Sequence, residues 1–182
     1  MKFELYNADT APEASRQDLE IVMQRFGFLP NLYGVLAESP AAVKTYKAIT
    51  EALEHAALSP VEQQVVFITI SGENACTYCV AAHSFLADML KMPAVVLAEL
   101  RDGQPLSDSR LNALRTFVLS VMERRGWVPE EELQAFVEAG YSKRHVLDVL
   151  TIMAQKTLSN YMNHLADTPL DEQFSGQAWE RP

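Results

Sequence analysis

Apolar residues recur at helical spacing along most of the chain, and no two alternating runs are joined by a hairpin turn. This pattern predicts an all-α protein, a single-domain helical bundle of about eight helices connected by short turns. We expect residues 1–182 to form one domain, with residues 28–33 as a packed connector and about 168–182 as a C-terminal arm over the chain or over a partner subunit. The predicted helices cover about residues 13–26, 40–53, 60–72, 74–90, 93–101, 108–125, 129–140 and 142–165.

The strongest helix signal is the capping box Ser59-Pro60-Val61-Glu62, which has proline at the first helical position. The segment 65–70 that follows is apolar all round and rich in β-branched residues, so its pattern alone also allows a short buried strand. The capping box favours a central helix, and Asn74 is the expected cap of the next one. The last long helix, capped by Ser142, has mainly apolar residues at helical spacing: Val146, Val149, Leu150, Met153, Thr157, Tyr161 and Leu165.

Composition and charge narrow the possible functions. A chain of 182 residues with 48% apolar and 21% charged residues suits one globular domain. Its net charge of −9, without a basic cluster, argues against binding to nucleic acid. No uncharged apolar run approaches the roughly eighteen residues that a membrane span needs. Because Glu4, Asp9 and Pro12 lie where a signal peptide would be apolar, we expect a cytoplasmic protein that contacts no membrane.

Both cysteines lie in one segment, Cys76-Thr77-Tyr78-Cys79, and His83 follows four residues after the second. On a helix Cys79 and His83 share one face, with Cys76 one turn earlier on the same face. A first-turn Cys76 would meet unpaired amides and the positive end of the helix dipole, and His83 could take or relay a proton. Both effects lower the pKa of a thiol.

Two vicinal thiols and one imidazole suit redox chemistry on peroxides. A thiolate reduces the O–O bond and becomes a sulfenic acid, and a second thiol one turn away condenses with it to give a disulfide. In a reducing compartment, such a pair is more typical of redox cycling or metal binding than of a structural disulfide. The local pattern alone leaves open which sulfur attacks, because Cys76 is nearer the helix start and Cys79 pairs with His83.

This segment resembles the carboxymuconolactone decarboxylase family, and within it the branch of alkylhydroperoxidase D and peroxidase-related proteins. The resemblance extends to residues 27–33, 158–164 and 168–171, and so covers most of the chain. It implies an all-helical alkylhydroperoxidase D-like fold, assembly as trimers or hexamers, and attack by the second cysteine. On that basis Cys79 attacks the peroxide and Cys76 resolves the sulfenic acid.

Two positions depart from alkylhydroperoxidase D. Gln64 occupies the position of that enzyme's relay glutamate, twelve residues before the first cysteine, and Tyr78 stands where it has a histidine. Glu73, three residues before Cys76, or Glu62 near the start of the preceding helix, is expected to replace the missing carboxylate. The predicted catalytic residues are Cys79, Cys76, His83 and Glu73.

The predicted function is therefore a thiol-dependent alkyl hydroperoxide reductase or disulfide oxidoreductase, homo-oligomeric and free of cofactor and metal. Its partners would be a hydroperoxide substrate and an external dithiol reductant. Two alternatives stay open. One is a decarboxylase-type lyase acting on a small lactone carboxylate, a reaction that needs no pair of thiols. The other is a non-catalytic zinc module that uses Cys76, Cys79 and His83, although zinc usually takes a fourth ligand.

Overall fold

A computed structural model describes residues 2–182 of the chain. Across these residues the secondary structure is helical, with no β-strand, and eight α-helices have at least eight residues. The predicted all-α class and the number of about eight helices are confirmed. The α-helices are α1 (Glu13–Phe26), α2 (Asn31–Leu36), α3 (Pro40–Ala52), α4 (Pro60–Glu73), α5 (Thr77–Met89), α6 (Ala94–Arg101), α7 (Ser109–Glu123), α8 (Glu130–Glu138) and α9 (Lys143–Ala166). Two 3-10 helices cover Leu53–His55 and Glu172–Gln177.

Helix α4 is the central element, and its capping box forms as predicted. The Ser59 hydroxyl accepts from the Glu62 amide at 3.3 Å, and the Glu62 carboxylate accepts from the Ser59 amide at 2.8 Å. The apolar segment 65–70 is buried throughout as a helix. Within residues 2–182, no helix combines the length and the apolar character that crossing a bilayer requires.

The predicted connector at residues 28–33 is wrong in part, because α2 begins inside it. This six-residue helix is buried over most of its length, so packing stabilises a segment too short for propensity to decide. Gly34 lets the N-terminal segment approach closely: the Tyr6 amide donates to the Gly34 carbonyl at 3.2 Å. A Cβ at position 34 would lie 2.7 Å from the Tyr6 carbonyl oxygen.

The junction of α4 and α5 also differs from the expectation. Helix α4 continues through Gly72, and Asn74 follows its last residue instead of capping α5. Ala75 then takes a left-handed conformation with φ of 55°, which costs a residue with a Cβ on the order of 1–2 kcal/mol. Cys76, in extended conformation, is the N-cap of α5, and its amide donates to the Ser71 carbonyl at 2.8 Å. The reversal directs the start of α5 back against α9.

The buried apolar residues form two clusters. The larger one joins α4, α6, α7, α8 and the first half of α9. The second joins α1, α2, α3 and α5 to Phe174 of the C-terminal segment, and it contains both cysteines. The thiols are therefore enclosed by the protein and have little contact with bulk water.

Helix α9 turns a mainly polar face to the second cluster. Several residues that keep apolar helical spacing, among them Leu150, Tyr161 and Leu165, are exposed. His164, on the same helix, is exposed as well. The residues that α9 buries are Val149, Ile152, Gln155, Lys156, Ser159, Asn160 and Asn163. The apolar spacing therefore marks the buried face only in the first half of this helix, where Val149 is buried, and polar residues of the second half contact the sulfurs.

The C-terminal arm packs on its own chain. Arg101 at the end of α6 donates to the carbonyls of Gln177 at 3.1 Å and Ala178 at 2.9 Å. Phe174 contacts Phe85 of α5, with ring centroids 5.4 Å apart. These contacts hold the arm against α5 and the end of α6.

Candidate active site

Both thiols lie at the start of α5 and are buried, with exposed fractions of 1% for Cys76 and 2% for Cys79. They are free in this structure. Cys79 is the third residue of the helix, whereas Cys76 precedes the first turn as the N-cap. The expected position of Cys76 inside the first turn is therefore wrong, and Cys79 occupies that turn instead.

Polar groups of α9 surround the Cys79 sulfur. The Asn163 amide nitrogen lies 3.2 Å from Cys79 Sγ and 3.9 Å from Cys76 Sγ. Lys156 Nζ lies 3.8 Å from Cys79 Sγ, and Ser159 Oγ lies 3.9 Å from it. Three donors thus face one sulfur, and an ionised thiol accepts hydrogen bonds from such groups.

The two thiols have opposite tendencies to ionise. Burial opposes charge on Cys79, but the hydrogen bond from Cys76, the charge of Lys156 and hydrogen bonds from Asn160 and Ser159 offset it, so that its pKa is lowered. The pKa of Cys76 is raised, first by its hydrogen bond to Cys79 and then by burial. These opposite shifts favour ionisation of Cys79 over ionisation of Cys76.

His83 contacts two side chains that hold it neutral. Its Nδ1 lies 2.9 Å from Gln64 Oε1, and its Nε2 lies 2.8 Å from Lys156 Nζ. Because the amide oxygen accepts and the ammonium donates, the proton of the imidazole is on Nδ1 and Nε2 is the acceptor. Burial, and then the charge of Lys156, lower the pKa of His83 well below its ordinary value.

The Phe67 ring of α4 packs against His83 and Lys156. Its ring stacks on the His83 imidazole with centroids 4.2 Å apart and an interplanar angle of 9°. Lys156 Nζ lies 5.1 Å from the centroid of the same ring. A cation over an aromatic face gains electrostatic attraction, which helps to hold Lys156 Nζ beside His83.

Neither candidate carboxylate joins the site. Glu73 is exposed at the end of α4 and lines a separate depression with Arg115. Glu62 is held in its capping box and forms an ion pair with Arg110 at 3.0 Å. Within residues 2–182, no carboxylate lies within ion-pair distance of Lys156 or His83. The structure therefore brings Cys76, Cys79 and His83 together and leaves Glu73 apart.

Tyr78, between the two cysteines, anchors the C-terminal arm. Its hydroxyl donates to Asp171 Oδ2 at 2.6 Å and accepts from the Leu32 amide at 3.2 Å. The Asn31 amide donates to the same carboxylate, at 3.0 Å to Oδ1. Burial, and then the bond to Asp171, raise the pKa of Tyr78, so it remains a neutral donor. Tyr78 thus has a structural contact at a position where the resemblance led us to expect a histidine.

A cavity of about 480 Å³ leads to Cys79. Cys79, His83, Lys156 and Gln64 line one part of it, whereas Cys76 is not part of the lining. Arg25 and Glu54, which also line the cavity, form an ion pair of 2.8 Å between exposed side chains. The rest of the lining is rich in aromatic rings: Phe26, Tyr33, Tyr46, Phe67, Tyr78 and Phe174. The cavity admits a mainly apolar molecule that presents one polar group to Cys79.

The sulfurs and His83 do not form a metal-binding arrangement. Both imidazole nitrogens are engaged, one by Gln64 and one by Lys156. Over residues 2–182, no group of three or more His, Cys, Asp or Glu side chains is arranged to hold a metal ion. The geometry therefore does not supply the third ligand on which the zinc hypothesis depends.

Lys156 is the main functional residue that the sequence pattern did not reveal. It lies four residues after Ile152 and seven after Val149, and all three are buried on the same face of α9. A lysine at helical spacing from buried apolar residues is a signal that sequence reading could have used. Ser159 and Asn163 continue this face toward the sulfurs.

No family model matches this sequence, and no curated protein matches it. Solved structures do resemble it. A peroxidase-related protein from Ralstonia eutropha JMP134, described as an alkylhydroperoxidase AhpD core, has 24% identity and a TM-score of 0.85, covering 95% of this chain and 93% of that one. A second, from Silicibacter sp. TM1040, has 20% identity and a TM-score of 0.81, with coverage of 96% and 93%.

A third structure is the debrominase Bmp8, solved as a variant in complex with 2,3,4-tribromopyrrole. It has 16% identity and a TM-score of 0.75, covering 97% of this chain and 95% of that one. Since all these identities are low, the similarities show the fold, which is the alkylhydroperoxidase D-like fold that the sequence predicted.

Proposed function

We propose that the chain is a thiol-dependent hydroperoxide reductase in which Cys79 attacks and Cys76 resolves. One observation carries the assignment: Cys79 lines the cavity and has the lowered pKa, whereas Cys76 is outside the lining and has the raised one. A substrate in the cavity meets the ionised sulfur first. This argument is independent of the family resemblance and leads to the same order of the two cysteines.

The reaction proceeds in two steps. The Cys79 thiolate attacks the terminal oxygen of the hydroperoxide, the O–O bond breaks, and Cys79 becomes a sulfenic acid while the alkoxide leaves as the alcohol. The Cys76 sulfur then attacks Cys79, and the hydroxyl leaves as water with the Cys76 proton. The product is a disulfide, which an external dithiol reduces.

The environment of Cys76 favours this order. While Cys79 is a thiolate, the hydrogen bond between the sulfurs and the negative charge of Cys79 both raise the pKa of Cys76. When Cys79 becomes a sulfenic acid, that charge disappears, and Cys76 ionises more readily. The resolving thiol therefore becomes a nucleophile after its target has formed.

The proposal gives His83 a positioning role and assigns no step to Glu73. Neutral His83 accepts a hydrogen bond from Lys156 and thereby orients the ammonium toward Cys79. Glu73 is exposed and forms no hydrogen bond with either sulfur.

The catalytic cycle needs a compartment in which dithiols stay reduced, so we propose a cytoplasmic location.

We also propose that the chain assembles with copies of itself through the outer face of α9. Leu147 and Leu165 are 64% and 75% exposed there, with Leu150 and Tyr161 between them. Leu147 and Leu150 are three residues apart, and Tyr161 and Leu165 are four residues apart. The spacing of eleven residues from Leu150 to Tyr161 keeps all four on one face of the helix, as an interrupted apolar stripe. Such a stripe on an exposed helix is typical of a protein interface.

Reductive dehalogenation of a small aromatic compound is a second candidate. It is favoured by the aromatic lining of the cavity beside Cys79 and by the fold that the chain shares with a debrominase. The Cys79 thiolate would take the halogen, the ring carbon would take a proton, and Cys76 would displace halide to give the disulfide. Halide release that depends on Cys79 and a dithiol would support this candidate.

The test is a dithiol-coupled assay with an organic hydroperoxide and three variants. Cys79→Ser is expected to lose hydroperoxide consumption. Cys76→Ser is expected to complete one attack and accumulate the sulfenic acid, detected by a trapping reagent and intact-protein mass. Thr77→Ser, at an exposed residue between the cysteines, is the matched control. Wild-type turnover in Cys79→Ser would disprove the assignment.

A further inference from the structure

We infer that Lys156 is the acid that protonates the oxygen leaving the substrate. This inference rests on the proposed hydroperoxide reduction and adds the group that makes the alkoxide a stable leaving group. Without protonation, breaking the O–O bond would leave an alkoxide in a mainly apolar cavity, which burial disfavours strongly.

Lys156 is placed to act on the reacting atoms. Its side chain is completely buried, its Nζ lies 3.8 Å from Cys79 Sγ, and it lines the same cavity. The alkoxide oxygen, which was bonded to the oxygen that Cys79 attacks, therefore leaves within reach of the ammonium. General acids of this kind typically contribute 10² to 10⁴ in rate.

The other groups facing this position are poor acids. From α5, Cys79 is the attacking thiolate, and the remaining proton of neutral His83 is on the nitrogen that faces Gln64. From α2 and α3, Tyr33 and Tyr46 have raised pKa values, in each case mainly because of burial. The amide of Asn163 and the hydroxyl of Ser159 donate hydrogen bonds but release protons poorly.

The proton transfer also balances charge in the buried site. Before reaction, the Cys79 thiolate and the Lys156 ammonium form a close buried pair. After reaction, the disulfide is neutral, and an ammonium that kept its proton would be a buried cation without a counterion. Transfer of the Lys156 proton to the alkoxide removes both charges in one turnover, and reduction of the disulfide restores them.

A competing role is possible on the same geometry, because Lys156 also favours the thiolate. Leaving groups distinguish the two roles. An alkyl hydroperoxide releases an alkoxide, which needs a proton, whereas a peracid releases a carboxylate, which does not. Loss of the thiolate slows the reaction of Cys79 with both substrates equally. Loss of the acid slows only the reaction with the alkyl hydroperoxide.

The experiment measures single-turnover oxidation of Cys79 with cumene hydroperoxide and with peracetic acid. Rates are divided by the thiolate fraction, obtained from absorbance of the thiolate. In Lys156→Met, the corrected rate with cumene hydroperoxide is expected to fall by about 100-fold or more, with the peracetic acid rate changed by less than about threefold. Lys44→Met, at an exposed lysine of α3, is the control and is expected to match the wild type.

Equal loss for both substrates, or no loss for either, would overturn the inference. A wild-type protein that reduces neither substrate would instead contradict the proposed function. A second measurement needs no variant and therefore does not depend on its folding. With one equivalent of cumene hydroperoxide in weak buffer, the wild type should take up no proton as Cys79 and Cys76 become oxidised. Uptake of one proton per disulfide would mean that Lys156 is charged in the oxidised protein, which would contradict the charge balance given above.

Discussion

Lys156 and His83 share a hydrogen bond of 2.8 Å at the buried end of the cavity, with the ammonium donating to imidazole Nε2. On the other side of the imidazole lies Gln64, at the position where the resemblance places the relay glutamate of alkylhydroperoxidase D. An uncharged amide fixes the orientation of the ring without attracting a second proton to it. The positive charge beside Cys79 is therefore carried by lysine and not by imidazolium.

The substitution Gln64→Glu should move charge onto His83. A carboxylate about 3 Å from Nδ1 favours the imidazolium, so the pKa of His83 should rise from its lowered value toward or above its ordinary value of about 6.5. Titration of the His83 ring proton by NMR between pH 4 and pH 8 measures the change. Gln64→Leu, which adds no charge, is the control. An unchanged titration in Gln64→Glu would contradict the arrangement of the three side chains.

The two cysteines should differ in the pH at which each reacts with an alkylating reagent. The lowered pKa of Cys79 means that its thiolate persists at pH 7, where an ordinary thiol with a pKa of about 8.5 is mostly protonated. In Cys76→Ala, however, Cys79 loses a hydrogen bond that favours its charge, so its reactivity should fall off at higher pH than in the wild type. In wild type, peptide mapping after limited alkylation at pH 7 should find the label on Cys79. Preferential labelling of Cys76 would reverse the assignment of roles.

The spacing of the cysteine motif predicted which helix the site belongs to and that Cys79 and His83 share one face of it, and both residues line the same cavity. The polar side of α9 was not predicted, for a physical reason. A buried thiolate and imidazole need polar partners, so α9 buries Lys156, Ser159 and Asn163 and exposes Leu165. The apolar periodicity therefore marks the core correctly at Val149, but in the second half of the helix it marks exposed residues.

The conformation of the junction between α4 and α5 could not be predicted from the sequence, for a related reason. Asn74 has a side chain that suits a helix start, but its amide donates to Asn160 Oδ1 on α9 at 2.9 Å. The left-handed conformation of Ala75 is unusual for alanine and has no signal in the sequence. Both features depend on tertiary contacts that bring α5 and α9 together around the thiols.

The bond between Tyr78 and Asp171 should hold the C-terminal arm over the cavity. Tyr78→Phe removes the donor and leaves the buried Asp171 carboxylate with its bond from the Asn31 amide. We expect a loss of about 1–3 kcal/mol in the stability of the arm, because an acceptor is left partly unsatisfied. Hydrogen exchange of residues 169–178 should accelerate accordingly.

Tyr6→Phe is the matched control for the arm, since its hydroxyl donates to the exposed carboxylate of Glu38 at 2.8 Å. Water replaces such a bond, so exchange in the arm should stay at the wild-type rate. If Tyr78→Phe also leaves that exchange unchanged, the other contacts of the arm, among them those of Arg101 and Phe174, are sufficient to hold it. The contact of Tyr78 would then have no role in closing the cavity.

The outer face of α9 should determine the oligomeric state. Leu147→Glu combined with Leu165→Glu introduces two charges into the exposed apolar stripe of a chain whose net charge is already −9, so desolvation and repulsion both oppose association. Sedimentation velocity should then show a shift from oligomer to monomer, with the helical circular dichroism spectrum retained. Met89→Glu changes an equally exposed apolar residue at the end of α5 and should leave the oligomer intact. A wild type that sediments as a monomer, or a double variant that stays assembled, would show that this stripe is not the interface.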